Sequence, residues 1–440
     1  MAQPKRHLRI TIKAKGEKLS NLSKLAGAEL PALGPWHLKT ELEDLKGGYA
    51  ARKIDLQVAD TDMSGEATVL LGGKRPNLQA KLASKLVNLD KIAPAPEKKS
   101  TGSEKKTAAP DTKAPTKAFS SKKIDFSGLK AVDAKLSYKA SKVTTNKIDL
   151  QNLALDVSLS NGLLRIKSFK VAPPGATVFA KAHLDGSRST PDFALRVDSK
   201  KIKLDQLEQA LLGTAPISGR GDLLIDLKGR GASPASMAGS LDGSFRFLVG
   251  KGTAKTGALD AAIGGFSQVV GAMVAKKSDH AILNCLATDF TFKKGVASTN
   301  LLVIDTEFST LAGDGKIDLK QEKLKLTITP EPKNTTLNVA TPLLVGGTFL
   351  NPTVIPEPLA AVRKVAGIIG LLGGGAIAAP VLLLAESGGD DPHPCQNVVA
   401  MQKGKKVKMQ KKKSTTEKTK EAIGDSLGGI GKGLKGLFGN

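Results

Sequence analysis

The chain has 440 residues, carries 66 Lys+Arg against 41 Asp+Glu for a net charge of +25, and is 40% hydrophobic but only 4% aromatic. A chain of this length buries a substantial core and ordinarily holds two or three domains, and its charge suits an anionic partner. One Trp and two Tyr exclude the aromatic platforms of a single-strand nucleic-acid binder, no helix-turn-helix or zinc-finger pattern is visible, and no nucleic-acid partner is expected. Part of the excess charge lies in two Lys-rich segments, Lys98 to Lys123 and Lys403 to Lys420, so charge alone mainly describes tails.

In chain order the first organising signal is an internal repeat. Arg75 to Ile92 (RPNLQAKLASKLVNLDKI) matches Thr190 to Leu207 (TPDFALRVDSKKIKLDQL). Pro76 pairs with Pro191, Leu78 with Phe193, Leu82 with Val197, Ser84-Lys85 with Ser199-Lys200, and Leu89-Asp90 with Leu204-Asp205. Upstream, Gly34 to Leu42 and Leu129 to Tyr138 are expected to occupy equivalent places. Each unit reads as several strands ending in a short helix, and a unit that cannot bury its own apolar face must stack on the next. Between the units, Ala93 to Ser121 is rich in Pro, Lys, Ser, Thr and Ala, a composition expected to stay disordered.

Alternation then marks strands. Leu153, Leu155, Val157 and Leu159 alternate, Asn161-Gly162 suits a type I′ turn, and Ile166 and Phe169 lie on the returning strand. The pattern continues at Leu223, Ile225 and Leu227, at Phe245, Phe247 and Val249, at Phe290 and Phe292, and at Leu324, Leu326 and Ile328. Polar residues fill the intervening positions, so each strand has one apolar and one wet face. Two arrangements can cover such a face: a second sheet, as in a closed sandwich, or acyl chains lying in a half-open sheet.

Beyond the strands, Gly367 to Ala385 carries no charge and, with Val365 and Ala366, approaches bilayer-spanning length. Gly373-Gly374-Gly375 and Pro380 favour instead a helix that caps the sheet or rests on a membrane. The tail opens with Lys405, Lys406, Lys408, Lys411, Lys412 and Lys413, each worth about 1 kcal/mol near an anionic bilayer. Ile423, Leu427, Ile430, Leu434, Leu437 and Phe438 follow at helical spacing among seven glycines, a poor helix in water but one that can form at an interface. Leu434 and Phe438 are candidate membrane-surface residues.

No catalytic inventory accompanies this. The histidines (His7, His37, His183, His280, His393) stand in no metal-binding spacing, no nucleophile elbow is present, and Gly252 to Gly257 lacks the Lys-Ser/Thr of a phosphate loop. No enzyme activity, metal or cofactor is expected.

Several weak motifs stand in a telling order: GRGDLLIDLKGRGASP (Gly219 to Pro234), MAGSLDGSFRFLVGKG (Met237 to Gly252), ILNCLATDFTFKKGVA (Ile282 to Ala297), GDGKIDL (Gly313 to Leu319) and PLLVGGTFLNP (Pro342 to Pro352). Together they resemble the C-terminal region of the AsmA family, envelope proteins of double-membraned bacteria, and Leu19 to Leu38 looks like that family's interior. The resemblance implies a mainly β protein: an elongated, curved, amphipathic antiparallel sheet built from repeats, with an open groove, short helices and disordered basic segments. It implies phospholipid transfer or accommodation between inner and outer membrane, supporting outer-membrane biogenesis and regulation of protein targeting to membrane. Phospholipid acyl chains and an anionic membrane surface would be the partners, and the periplasm beside the inner membrane the location. The alternative is a structural or assembly factor with a closed β core, tethered to membranes by its basic tail. Met1 to Leu30 lacks the features of an export signal, so a truncated or split product, or another export route, is expected. Members commonly carry a Cys at the places of Cys285 and Cys395, which implies a disulfide between them, favoured by an oxidising compartment.

The divisions expected are residues 1–95, a first β repeat; 96–121, a disordered insert; 122–212, a second β repeat; 213–395, a C-terminal β region containing the apolar segment 365–385; and 396–440, the basic, Gly-rich tail.

Overall fold

The computed structural model describes residues 8–26, 32–92, 117–255, 280–307, 309–332 and 342–356. The chain divides into two units, Met1–Ala366 and Gly367–Asn440, and every described residue belongs to the first. The expected insert up to residue 116, the segment 365–385 and the tail 396–440 lie outside the described residues.

The described chain is mainly strand. Its elements are β1 (Arg9–Gly16), α1 (Ser23–Ala26), β2 (Trp36–Leu45), β3 (Gly48–Val58), β4 (Thr61–Leu70), β5 (Asn77–Asn88) and α2 (Leu89–Ile92). There follow β6 (Asp133–Thr144), β7 (Asp149–Ser160), β8 (Leu163–Ala172), β9 (Val178–Asp185), β10 (Asp192–Lys203), α3 (Leu204–Leu212), β11 (Arg220–Arg230), α4 (Pro234–Ala238) and β12 (Asp242–Val249). The rest are β13 (Gly252–Lys255), β14 (His280–Lys293), β15 (Val296–Thr306), β16 (Ser309–Asp318), β17 (Lys323–Pro332), β18 (Leu343–Gly347) and β19 (Pro352–Pro356). All nineteen strands belong to one open sheet.

Neighbours in sequence are neighbours in the sheet. β1 to β5 pair antiparallel in turn, as do β6 to β12. β12 and β13 both pair with β14, and the meander runs on to β19. The expected all-antiparallel sheet needs one correction: β5 and β6 are parallel, in register from Asn77↔Asp133 to Asn88↔Thr144. A parallel pair needs a long connection that carries the chain back to the rim where it began. The Lys/Pro-rich insert supplies that length.

The repeat recurs as a twelve-residue strand followed by a helix. β5 and β10 are both twelve residues long, and α2 and α3 begin at the matched Leu89 and Leu204. Counting back from these gives two five-stranded units, β1 to β5 and β6 to β10. The upstream match is therefore corrected: Gly34 to Leu42 falls on the second strand of its unit and Leu129 to Tyr138 on the first strand of the other. Aliphatic alternation is the same on every strand, so it cannot fix which strand of a unit is which.

Local chemistry explains the turns and kinks. Asn161 and Gly162 both take positive φ, 49° and 82°, between β7 and β8, which is the type I′ geometry their sequence suggests. The glycines of LDGSF and GDGKI are structural for another reason. Gly243 and Gly315 sit inside strands at φ 130° and 141°, and a Cβ there would come within 2.0 Å of the Asp226 carbonyl oxygen or 2.2 Å of that of Lys325.

The helices α2 and α3 lie at one rim. Leu204 and Leu207 of α3 pack with Ile202, Val249, Leu283, Phe247 and Leu286, while Ile92 of α2 packs with Val87, Ala140, Val143 and Tyr138. Gly213, left-handed at φ 71°, ends α3 and donates its N–H to the Gln209 carbonyl. Within α3, Glu208 accepts the Ile217 N–H at 2.9 Å. Burial pushes its carboxyl above the usual range, partly offset by that hydrogen bond, while Asp205 adds to the upward push. A carboxyl with a raised folded-state pKa contributes stability that is fully present below its unfolded pKa and is lost as pH rises through the folded value. Glu208→Gln keeps the acceptor and removes the charge. It should raise the melting temperature at pH 7 to 8 and leave it nearly unchanged at pH 4; an equal shift at both would contradict this.

The opposite rim carries a strap. Ala118 and Phe119, at the end of the insert, donate their N–H groups to the Glu322 carboxylate at 2.6 and 3.1 Å, and the Phe119 ring meets Phe349 edge-on at 5.9 Å. Ser120 accepts the Ala235 N–H, and Ile124 donates its own to the Ala232 carbonyl. Phe126 and Leu129 then lie against Gly186, just before β6 begins. Residues 117–121, which composition groups with the insert, thus follow a bent path held at named points.

Candidate functional site: the apolar lane of the sheet

Register places the apolar residues of successive strands side by side. Leu136 faces Val157, Val157 faces Ile166, Ile166 faces Ala182, and Ala182 faces Leu195. Leu195 continues to Leu227, Val197 to Ile225, and Ile225 to Phe245 and then Phe290. Toward β1 the same row passes through Ala80, Ala67, Ala51, Leu42 and Ile10. Because side chains one residue apart point to opposite faces, residues in register share a face. The result is a lane of apolar side chains, mostly aliphatic with Phe245 and Phe290 among them, running across the strands.

All the sequence-selected groove candidates fall on that face. Leu223 stands opposite Phe247, Ile225 opposite Phe245 and Phe290, and Leu227 opposite Gly243 and, beyond it, Phe292. Val249 pairs with Leu286. Leu324 reaches the lane through Ile317, Leu326 through Gly315 and Val345, and Ile328 through Gly313 and Leu343. Val249 is buried, and the others are half-buried. Elsewhere in the lane Leu78 is 41% exposed and Leu195, in the middle of the sheet, 37%. A second sheet laid across the lane would bury these positions.

The last third of the sheet differs. On β14 to β16, Cys285, Ala287, Leu301, Val303 and Ala312 are buried on the face opposite the lane, while on the lane side Ala297 and Leu311 are buried and Leu302 and Ile304 half-buried. Asp305, fully buried, accepts from the Thr310 hydroxyl at 2.6 Å and the Asn284 amide at 2.8 Å, and Asp289 accepts from Arg246 and Asn300. Alternation alone missed β15. The signal was its unbroken apolar run Leu301-Leu302-Val303-Ile304, which marks a strand covered on both faces.

The polar face also holds charge that composition assigned to the tails. Lys81, Lys135, Arg165, Lys167 and Lys181 gather there around two adjoining depressions of about 540 and 260 Å³. Arg196 is neutralised by Asp226 at 2.6 Å, and Arg52 by Glu66 at 2.7 Å. Asp156 lies among the lysines, and hydrogen bonds from the Ser137 and Ser168 hydroxyls hold its carboxyl below the usual range, with Lys167 and Lys139 adding to the effect. Like charges on neighbouring strands repel, so this face favours an anionic neighbour.

Cys285, buried on β14, is disulfide-bonded; Cys395 lies outside the described residues, as do the tail candidates Lys405, Lys406, Lys408, Lys411, Lys412, Lys413, Leu434 and Phe438. The chain has two cysteines. Thiol titration of protein denatured without reductant should find none free, and two after reduction. Two free thiols before reduction would contradict the bond. Among the described residues no group of three or more His, Cys, Asp or Glu side chains is placed to hold a metal ion, and no helix is long and apolar enough to cross a membrane.

The chain is 24% identical over 413 residues to the AsmA family protein YhjG of Escherichia coli (strain K12), covering 90% of this chain and 59% of that protein. It is 22% identical over 321 residues to Protein AsmA of the same organism, covering 68% of this chain and 50% of that one. It therefore spans between half and three fifths of the length of these relatives. No solved structure matches. The AsmA family model matches residues 22–302, well over half of the chain, and the chain belongs to the AsmA family.

Proposed function

We propose that this chain is a non-enzymatic envelope protein that accommodates phospholipid acyl chains along the apolar lane and lets them pass between inner and outer membrane. The observation that carries this reading is the lane itself, continuous through the pairing register and uncovered at Leu78 and Leu195. Burying acyl chains there removes apolar surface from water at roughly 0.8 kcal/mol per CH₂. A lining that is mostly aliphatic, with phenylalanines on β12 and β14, makes no directional bonds to an acyl chain, so a bound chain is held yet slides. The aromatic-poor composition serves the same end. On this reading the protein works in the periplasm beside the inner membrane, supports outer-membrane biogenesis and the regulation of protein targeting to membrane, and uses the basic tail to meet anionic lipid.

A second reading, a structural or assembly factor, draws on β14 to β16, where burial behind the lane makes a closed core. A transfer assay separates the two. Purified chain mixed with donor vesicles carrying a fluorescent phospholipid and unlabelled acceptor vesicles should speed exchange in proportion to protein added. Exchange no faster than the protein-free rate would favour the assembly factor.

A further inference from the structure

The rim that carries the strap is drawn together more tightly than strand pairing requires. Strands lie about 4.8 Å apart in a sheet. The β11–β12 connection and the β16–β17 turn are separated by about four such spacings, roughly 19 Å along a flat rim. Yet a Cβ on Gly239, which ends α4 in that connection, would lie 3.2 Å from the Lys320 Cβ in the β16–β17 turn. The β14–β15 turn between them is caught in the same contact. Its Gly295 N–H donates to the Leu241 carbonyl at 2.9 Å, and its carbonyl accepts the Leu319 N–H at 2.8 Å. Every turn involved lies inside the sheet, away from β1 and β19.

The strap visits the same turns in few residues. The Phe119 N–H is held by Glu322 in the β16–β17 turn, and the next residue, Ser120, accepts the Ala235 N–H of α4. A single step along the chain, at most about 3.6 Å, thus passes from one turn to the other. The Ile124 N–H then donates to the Ala232 carbonyl at 2.8 Å. Phe126 and Leu129 reach the β9–β10 turn, where a Cβ on Gly186 would meet them at 3.1 and 3.0 Å. Lys130 arrives at the β7–β8 turn, 3.2 Å from a Cβ on Gly162. Residues 118–130 therefore tie four successive turns of this rim.

The two ends of the strap are fixed in different ways. Just after Lys130 the chain enters β6, which is paired on both sides with β5 and β7. At the other end Ala118 and Phe119 hang on one carboxylate and one edge-on ring contact with Phe349. The first end cannot let go without breaking the sheet, whereas the second can. The helix rim is built otherwise: α2 and α3 rest on the strand ends through apolar side chains, which make no directional bonds.

We propose that residues 118–130 are a drawstring that holds this rim of the sheet gathered, with Glu322 as its catch. Letting go of Glu322 allows the four turns to spread while every strand keeps its partners, so the sheet widens at one rim without unfolding. The inference concerns the rim alone and stands whether or not the lane holds lipid.

The test measures distances between spin labels on the full chain by pulsed electron paramagnetic resonance. Ser189→Cys with Gln321→Cys reports the strapped rim, and Asn146→Cys with Leu212→Cys the helix rim; all four positions are exposed, and Cys285 is disulfide-bonded and takes no label. Glu322→Ala should lengthen the first distance by about 5 Å, one strand spacing, leave the second as in wild type, and keep circular dichroism unchanged. Inserting Gly-Ser-Gly-Ser between Phe119 and Ser120 keeps every anchor and adds about 3.3 Å of slack per residue. It should lengthen the same distance, and it carries the test should Glu322→Ala unfold. A wild-type distance at the strapped rim in the insertion variant would overturn the proposal. So would equal lengthening at both rims, which would mean general loosening of the sheet.

Discussion

Leu195→Asp should strip bound phospholipid from the protein while its circular dichroism and melting temperature stay close to wild type. Leu195 lies in the middle of β10, on the lane, and is 37% exposed. A carboxylate there remains in contact with water, so the fold loses little, but an acyl chain crossing it would have to desolvate a charge. Leu283→Asp is the contrast. Leu283 is 1% exposed and packed with Ile202, Leu204 and Val249, so an unpaired carboxylate in its place should cost several kcal/mol and unfold or aggregate the chain. Phe247 is a poorer probe despite lying on the lane, because it packs against the same cluster. Unfolding of Leu195→Asp to the extent seen with Leu283→Asp would mean that the lane is ordinary core.

Glu322→Ala should lower stability by about 1.5 to 3 kcal/mol, the range for hydrogen bonds to a charged group, and should release the strap. Glu322 is 3% exposed, and its carboxylate is the shared acceptor for the Ala118 and Phe119 N–H groups. Removing it leaves both donors without that partner and frees Phe119 from its place beside Phe349. Limited proteolysis should then cut between residues 117 and 132 well before the sheet is attacked, and urea unfolding should shift to lower concentration. Glu322→Gln keeps an acceptor and should fall between wild type and alanine. Unchanged cleavage and unfolding in the alanine variant would show that the strap is held by its other contacts alone.

What could be read from the residues follows from how local the signal is. The strands, the Asn161-Gly162 turn and the strand–helix pairs of the repeat rest on neighbours in sequence, and the structure has them. The candidates from Leu223 to Ile328 share a face because alternation holds along each strand and the pairing register carries it on, across the irregularities between β14, β15 and β16. The parallel junction of β5 with β6 could not be read, since it depends on where a long insert returns the chain. Nor could the basic patch of Lys81, Lys135, Arg165, Lys167 and Lys181, whose members lie far apart in sequence and meet only through the register of β5 to β9. The buried side of β14 to β16 was visible in Leu301-Leu302-Val303-Ile304, but a search for strict alternation passes over an unbroken run.

On the proposed function the lane is an acyl-chain path and not a core awaiting a second sheet. Native mass spectrometry of the full chain, purified without detergent from its own host and followed by lipid extraction, tests this most directly. Phospholipid should be found at one or more molecules per chain, reduced in Leu195→Asp and retained when Leu195 is replaced by Ile. Homogeneous lipid-free protein, in wild type and variant alike, would contradict it.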